Sequence, residues 1–133
     1  MVFMRWTEEL SVHVKKIDEQ HQNLIDIINR AHDTDLAKNK DEGNKILDEL
    51  IEFTRIHFST EENYFEKCHY PDAEKHIEEH ARYIQKVLNY KSKYESGDFD
   101  VEEFFNFLKE WLEHHLKVMD AGYVENFREC GLK

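Results

Sequence analysis

The sequence predicts an all-α protein, an antiparallel up-down-up-down four-helix bundle with an N-terminal arm and a short C-terminal tail. Three observations lead there. Apolar residues recur at three- and four-residue steps in four separate stretches, which marks one buried face per helix. Only four glycines and one proline interrupt 133 residues, so long regular elements dominate. No stretch alternates with period two over the length of a strand.

The first 17 residues, with Phe3 and Trp6, show no clear period and read as an arm packed on the bundle. In the first helix, about 18–38, His21, Leu24, Ile25, Ile28, Ala31 and Leu36 share one face. The turn TDLAKNKDEGN leads into the second helix, about 41–67. There Ile46, Leu47, Leu50, Ile51, Thr54, His57, Phe58, Glu61 and Phe65 line up. Pro71 and Asp72 suit a first turn and predict a third helix over 71–94, with His76, His80, Ile84, Val87 and Leu88 on its inner face. Ser96-Gly97-Asp98 stops it. Asp100 and Glu103 have capping-box spacing for a fourth helix over 100–120. Its inner face is Val101, Phe104, Phe105, Leu108, Trp111, Leu112, His115 and Met119. Gly122 should loosen its end, and YVENFREC predicts a short helical tail within 121–133. The bundle reads as one domain over 1–133, since no repeat or low-complexity linker divides it.

Composition narrows the function. A net charge of −11 argues against a nucleic-acid surface, which needs a basic patch. No apolar run approaches a membrane span, and MVFMRWTEEL lacks the apolar core of a signal peptide. A cytoplasmic location and a monomeric chain are expected. Cys68 and Cys130 are expected to be reduced and structural, because cytosolic disulfides are rare.

The nine histidines are the unusual count. Any single histidine on an apolar face is normally a satisfied core residue. Here all four helices carry metal-capable side chains on that face: His21, then His57 and Glu61, then His76 and His80, then His115 with Asp120 just beyond. Residues four apart on a helix point about 40° from each other, so His57 with Glu61, and His76 with His80, can each reach one point. Burying so many polar groups is costly unless they pair or bind metal. His114 and His115 diverge by about 100°. His115 continues the face of Leu108, Trp111 and Leu112, whereas His114 points to solvent. His13, His32 and His69 fall outside the pattern. Residues five apart on a regular helix diverge by about 140°, so the backbone must deviate between His115 and Asp120 if both reach one site. A π-bulge is one such deviation.

The motifs IDEQH (17–21), HFSTE (57–61), HYPDAEKHIEEH (69–80) and WLEHHLKVMD (111–120) resemble the hemerythrins, most closely the single-domain bacterial ones. The resemblance covers about residues 17–123, and all seven ligand positions are filled. It implies a non-haem di-iron site with an oxo or hydroxo bridge. His76, His80 and His115 would bind one iron and His21 and His57 the other, with Glu61 and Asp120 bridging. One position on the His21/His57 iron would remain open for O2. Reversible binding there needs a dry pocket, and helix spacing from His21, His57 and His115 places Leu24, Ile25, Phe58, Trp111 and Leu112 around it. The implied role is oxygen storage, transport or delivery by a carrier rather than an enzyme, with O2 and an oxygen-consuming enzyme as partners.

Other readings compete. A ferritin-like di-iron oxidase uses paired Glu-x-x-His motifs. This chain has one, Glu66 to His69, and its ligand set is poor in carboxylates. HIEEH (76–80) fits the His-x-x-Glu-His pattern of some zinc peptidases, with Glu79 as base. That reading leaves five of the seven polar core residues without a role. A sensor of O2 or nitric oxide would use the same di-iron site as a switch and would need a partner for its output.

Overall fold

The computed structural model describes residues 3–133. Its four main helices are α1 (Lys15–Asp33), α2 (Lys40–Lys67), α3 (Ala73–Ser96) and α4 (Val101–His114). They form the expected four-helix bundle. A π-helical segment, His115–Met119, continues α4, and a 3-10 turn, Ala121–Tyr123, leads into α5 (Val124–Cys130).

The arm packs from Phe3 onward. Phe3 stacks on His32 at 4.3 Å, and Met4 exchanges two hydrogen bonds with the Asn29 side chain. Asp18 then fixes the entry to α1: its carboxylate accepts from the Ser11 hydroxyl and the Val12 amide. With these groups satisfied, the helix begins at Lys15 rather than at Asp18.

Two further boundaries differ from expectation. α1 ends at Asp33, not near 38. Thr34 turns extended, and its hydroxyl donates to the Arg30 carbonyl. Leu36 keeps the apolar spacing because it is buried from the following turn, where its carbonyl accepts from the buried Tyr94 hydroxyl at 2.7 Å. Tyr94 fits because position 43 is glycine, since a Cβ there would lie 1.9 Å from the Tyr94 oxygen. α3 starts at Ala73, with Pro71 and Asp72 in the turn before it, and ends at Ser96, capped by Gly97 in the left-handed region. Only half of the expected capping box forms on α4. Asp100 accepts from the Glu103 amide, but the Glu103 carboxylate accepts instead from the Tyr90 hydroxyl.

The cysteines overturn the expectation of reduced thiols. Cys68 and Cys130 are disulfide-bonded. Cys68 caps α2, and the chain folds back after α4 so that α5 ends beside it. Around the bond, Val12, Val14, Ile17, Phe65, Tyr123 and Phe127 form a second apolar cluster, separate from the main core. The polar residues lie between the two clusters. Among the described residues no helix is long and apolar enough to cross a membrane.

Candidate metal centre

The four helices bring all seven predicted residues to one buried place. His21, His57, Glu61, His76, His80, His115 and Asp120 are each at most 2% exposed. Their donor atoms form two groups. Glu61, His76, His80 and His115 make one; His21, His57, Glu61 and Asp120 make the other. Within each group the donors lie within 4.8 Å of one another.

The local backbone accounts for how Asp120 arrives. Along His115–Met119 the helix widens, and the Asp120 amide donates to the His115 carbonyl at 2.8 Å, five residues back. This adds one residue to the turn and carries Asp120 round to the face of His115. Asp120 then divides its oxygens. Oδ1 lies 3.0 Å from His76 Nε2 and 2.9 Å from His115 Nε2, while Oδ2 lies 3.0 Å from His21 Nε2. Glu61 behaves differently. Its Oε1 faces both groups, 3.4 Å from His57 Nε2 and 3.2 Å from His80 Nε2. Its Oε2 accepts a 2.6 Å hydrogen bond from the buried Tyr123 hydroxyl.

These distances are close, yet the atoms do not satisfy one another. His21 Nε2, His57 Nε2, His80 Nε2, Glu61 Oε1 and both Asp120 oxygens are buried without a hydrogen-bond partner. These six atoms converge on shared points, while His76 Nε2 and His115 Nε2 lie 3.3 Å from each other. Unpartnered buried polar groups are costly, and cations at those points would satisfy them. Imidazole and carboxylate donors suit iron.

The electrostatics agree. Burial depresses the His57 imidazole to about 3, so it is a free base at neutral pH. Burial also works against a charged His115, but Asp120 and Glu61 outweigh it and raise that imidazole to about 10. Burial and Asp120 both push the Glu61 carboxyl up, yet His57, His115 and His80 hold it below the usual carboxylate range. Burial likewise opposes ionisation of Asp120, and His115, His21 and His76 overcome it. Glu61 and Asp120 thus favour positive charge on His115 beside them, a place that a metal cation would take over on binding.

The expected pocket residues divide. Phe58 stacks on His80 at 3.7 Å and Trp111 stacks on His115 at 4.3 Å, so both lie against the three-histidine group. Leu24, Ile25 and Leu112 are buried in the main core. Apart from His76 and His80, the residues of the competing motifs stay away. Glu66 and His69 are exposed, and Glu79 pairs with Arg82 on the surface of α3. His114 is exposed, as expected.

Sequence reasoning missed four residues around the site: Gln20, Thr60, Glu62 and Tyr123. His57 Nδ1 donates to Gln20 Oε1 at 2.7 Å, and His80 Nδ1 donates to Glu62 Oε2 at 2.9 Å. Gln20 and Glu62 each sit beside a predicted ligand in sequence, so helical spacing assigns them to another face. Tyr123 follows Asp120 by three residues, a spacing that could have flagged it.

Comparisons with known proteins agree with this arrangement. The Hemerythrin HHE cation binding domain family matches residues 12–126. Bacteriohemerythrin of Pseudomonas aeruginosa is 30% identical over 96% of this chain and 84% of its own length. That of Methylococcus capsulatus is 32% identical over 92% of this chain and 95% of its own. A crystal structure of wild-type hemerythrin superposes with a TM-score of 0.87 at 31% identity, covering 94% of this chain and 98% of that one. A helical bundle with two buried imidazole–carboxylate groups can hold metal ions, and this chain belongs to the hemerythrin family.

Proposed function

We infer that this chain binds O2 reversibly at a non-haem di-iron centre and serves as a carrier, storing or delivering oxygen, rather than as an enzyme. The observation that carries the reading is the pairing of donor groups. One contains three histidines and the other two, and the carboxylates of Glu61 and Asp120 are common to both sides. His76, His80 and His115 would hold one iron, His21 and His57 the other, and the two carboxylates would link them. An iron pair held there, with an oxo or hydroxo bridge, would supply the electrons that O2 binding takes up and release returns.

The protein's own residues supply the rest. Tyr123 holds the Glu61 carboxylate in place. Phe58 and Trp111 cover His80 and His115, and Leu24, Ile25 and Leu112 complete an apolar surround. Such an apolar surround offers water few partners, which favours release of unchanged O2. Five imidazoles and two carboxylates provide less negative charge than a carboxylate-rich site, which supports a carrier over an oxidase. Metal analysis tests the reading. Two irons per chain are expected, and one iron, or one zinc, would contradict it.

A further inference from the structure

The five histidines differ in what their second ring nitrogen touches. Nδ1 of His21, His76 and His115 has no hydrogen-bond partner among the described residues. Nδ1 of His57 meets Gln20, and Nδ1 of His80 meets Glu62. Each donor group therefore contains one ring held from behind.

The holding groups also decide where the ring proton sits. The Thr60 hydroxyl donates to the Ile56 carbonyl at 3.1 Å, which leaves its oxygen to accept from Gln20 Nε2 at 3.1 Å. That turns the Gln20 amide oxygen toward His57. An amide oxygen only accepts, so His57 carries its proton on Nδ1 and keeps the Nε2 lone pair free. The Glu62 carboxylate imposes the same tautomer on His80. Stacking against Phe58, at 4° between planes, then fixes that ring's orientation.

The two acceptors are chemically unequal. Gln20 is neutral and buried. Glu62 is a carboxylate whose side chain is 34% exposed, on a groove between α2 and α3 lined by Arg55, Ser59, Ile77 and Gln85 with Phe58 and His80. A charged acceptor pulls harder on a ring proton than an amide does, and this raises the basicity of the opposite nitrogen.

We propose that Gln20 and Glu62 are positioning residues that make the two metal positions electronically unequal, with Glu62 turning His80 into the stronger imidazole donor of the pair. The proposal rests on the di-iron reading. A stronger donor stabilises the ferric state, so the three-histidine position is the more readily oxidised. The partly exposed carboxylate puts that bias under the influence of the surface groove.

Redox titration of the iron-loaded full chain tests this with three variants. Glu62→Gln keeps an acceptor but removes its charge. It should raise the midpoint potential by an amount equal to roughly a tenfold loss of ferric over ferrous preference, about 59 mV. Gln20→Glu adds the charge behind His57 and should lower the potential. Glu66→Gln removes a charge from an exposed position on the same helix and should shift it far less. Equal shifts in Glu62→Gln and Glu66→Gln, or shifts of the same sign in Glu62→Gln and Gln20→Glu, would overturn the proposal. Nitrogen NMR of the zinc-substituted chain gives a second reading that needs no iron. The His80 ring, with a carboxylate behind it, should differ from the His57 ring, and Glu62→Ala should change the His80 ring alone. An unchanged His80 ring in Glu62→Ala would overturn the proposal. A wild-type chain that takes up no iron pair would instead defeat the di-iron reading.

Discussion

His115 and Asp120 are five residues apart, yet Asp120 Oδ1 lies 2.9 Å from His115 Nε2. A regular α-helix would point them about 140° apart. The π segment removes the mismatch by inserting one residue into the turn. Deleting the exposed Lys117 should restore regular α-helix and swing Asp120 off the site. The variant should keep its helical circular dichroism but hold far less iron than wild type. Full iron content after the deletion would show that the π segment is not what delivers Asp120.

The neighbouring histidines make a sharper pair. His115→Ala removes a buried donor and should lose iron. His114→Ala changes an exposed ring and should leave both iron content and absorption spectrum as in wild type. Equal losses from the two substitutions would reverse the assignment of the helix face.

Leu112 is buried one turn before His115. Truncating it to alanine should cost about 2–5 kcal/mol of stability, as buried leucines do. Leu47 is as well buried and serves as the comparison. If Leu112 also keeps water from the oxygen site, only Leu112→Ala should hasten conversion of the oxygenated protein to the oxidised form in air. The fading of the visible absorption band measures this, and equal rates in the two variants would leave Leu112 with a packing role alone.

The Cys68–Cys130 bond closes a loop with a sequence separation of 62 residues. Loop-closure entropy of that size corresponds to about 4 kcal/mol. Cys130→Ser, or reduction by a dithiol, should therefore lower the denaturation midpoint. An unchanged midpoint in the Cys130→Ser variant would mean that the bond contributes nothing to stability.

The bundle and the seven polar core residues were legible because helical periodicity reports directly which side chains face inward. Histidines at i, i+4 on an otherwise apolar face leave two ring nitrogens to be satisfied at one buried point, and a metal does this for both at once. Even the π segment was foreseeable, since a five-residue spacing conflicts with a straight helix. Periodicity failed where burial comes from something other than a helix face. Leu36 is buried from a turn and made α1 look longer than it is. Glu103 found Tyr90 on another helix, a partner that local spacing cannot show. Gln20 and Glu62 reach the site from behind the rings they hold, and Tyr123 reaches it from beyond the π segment. The disulfide depends on α5 folding back to the end of α2, a relation between distant parts of the chain that no local pattern records.

The most direct test of the central claim is an oxygen titration of the fully reduced, iron-loaded chain, followed by visible absorption. A carrier site should develop its colour with a single O2 per chain and lose it again when the oxygen is removed under argon, over repeated cycles. An absorption change that stays after the oxygen is removed on the first cycle, or no change at all, would contradict reversible oxygen binding.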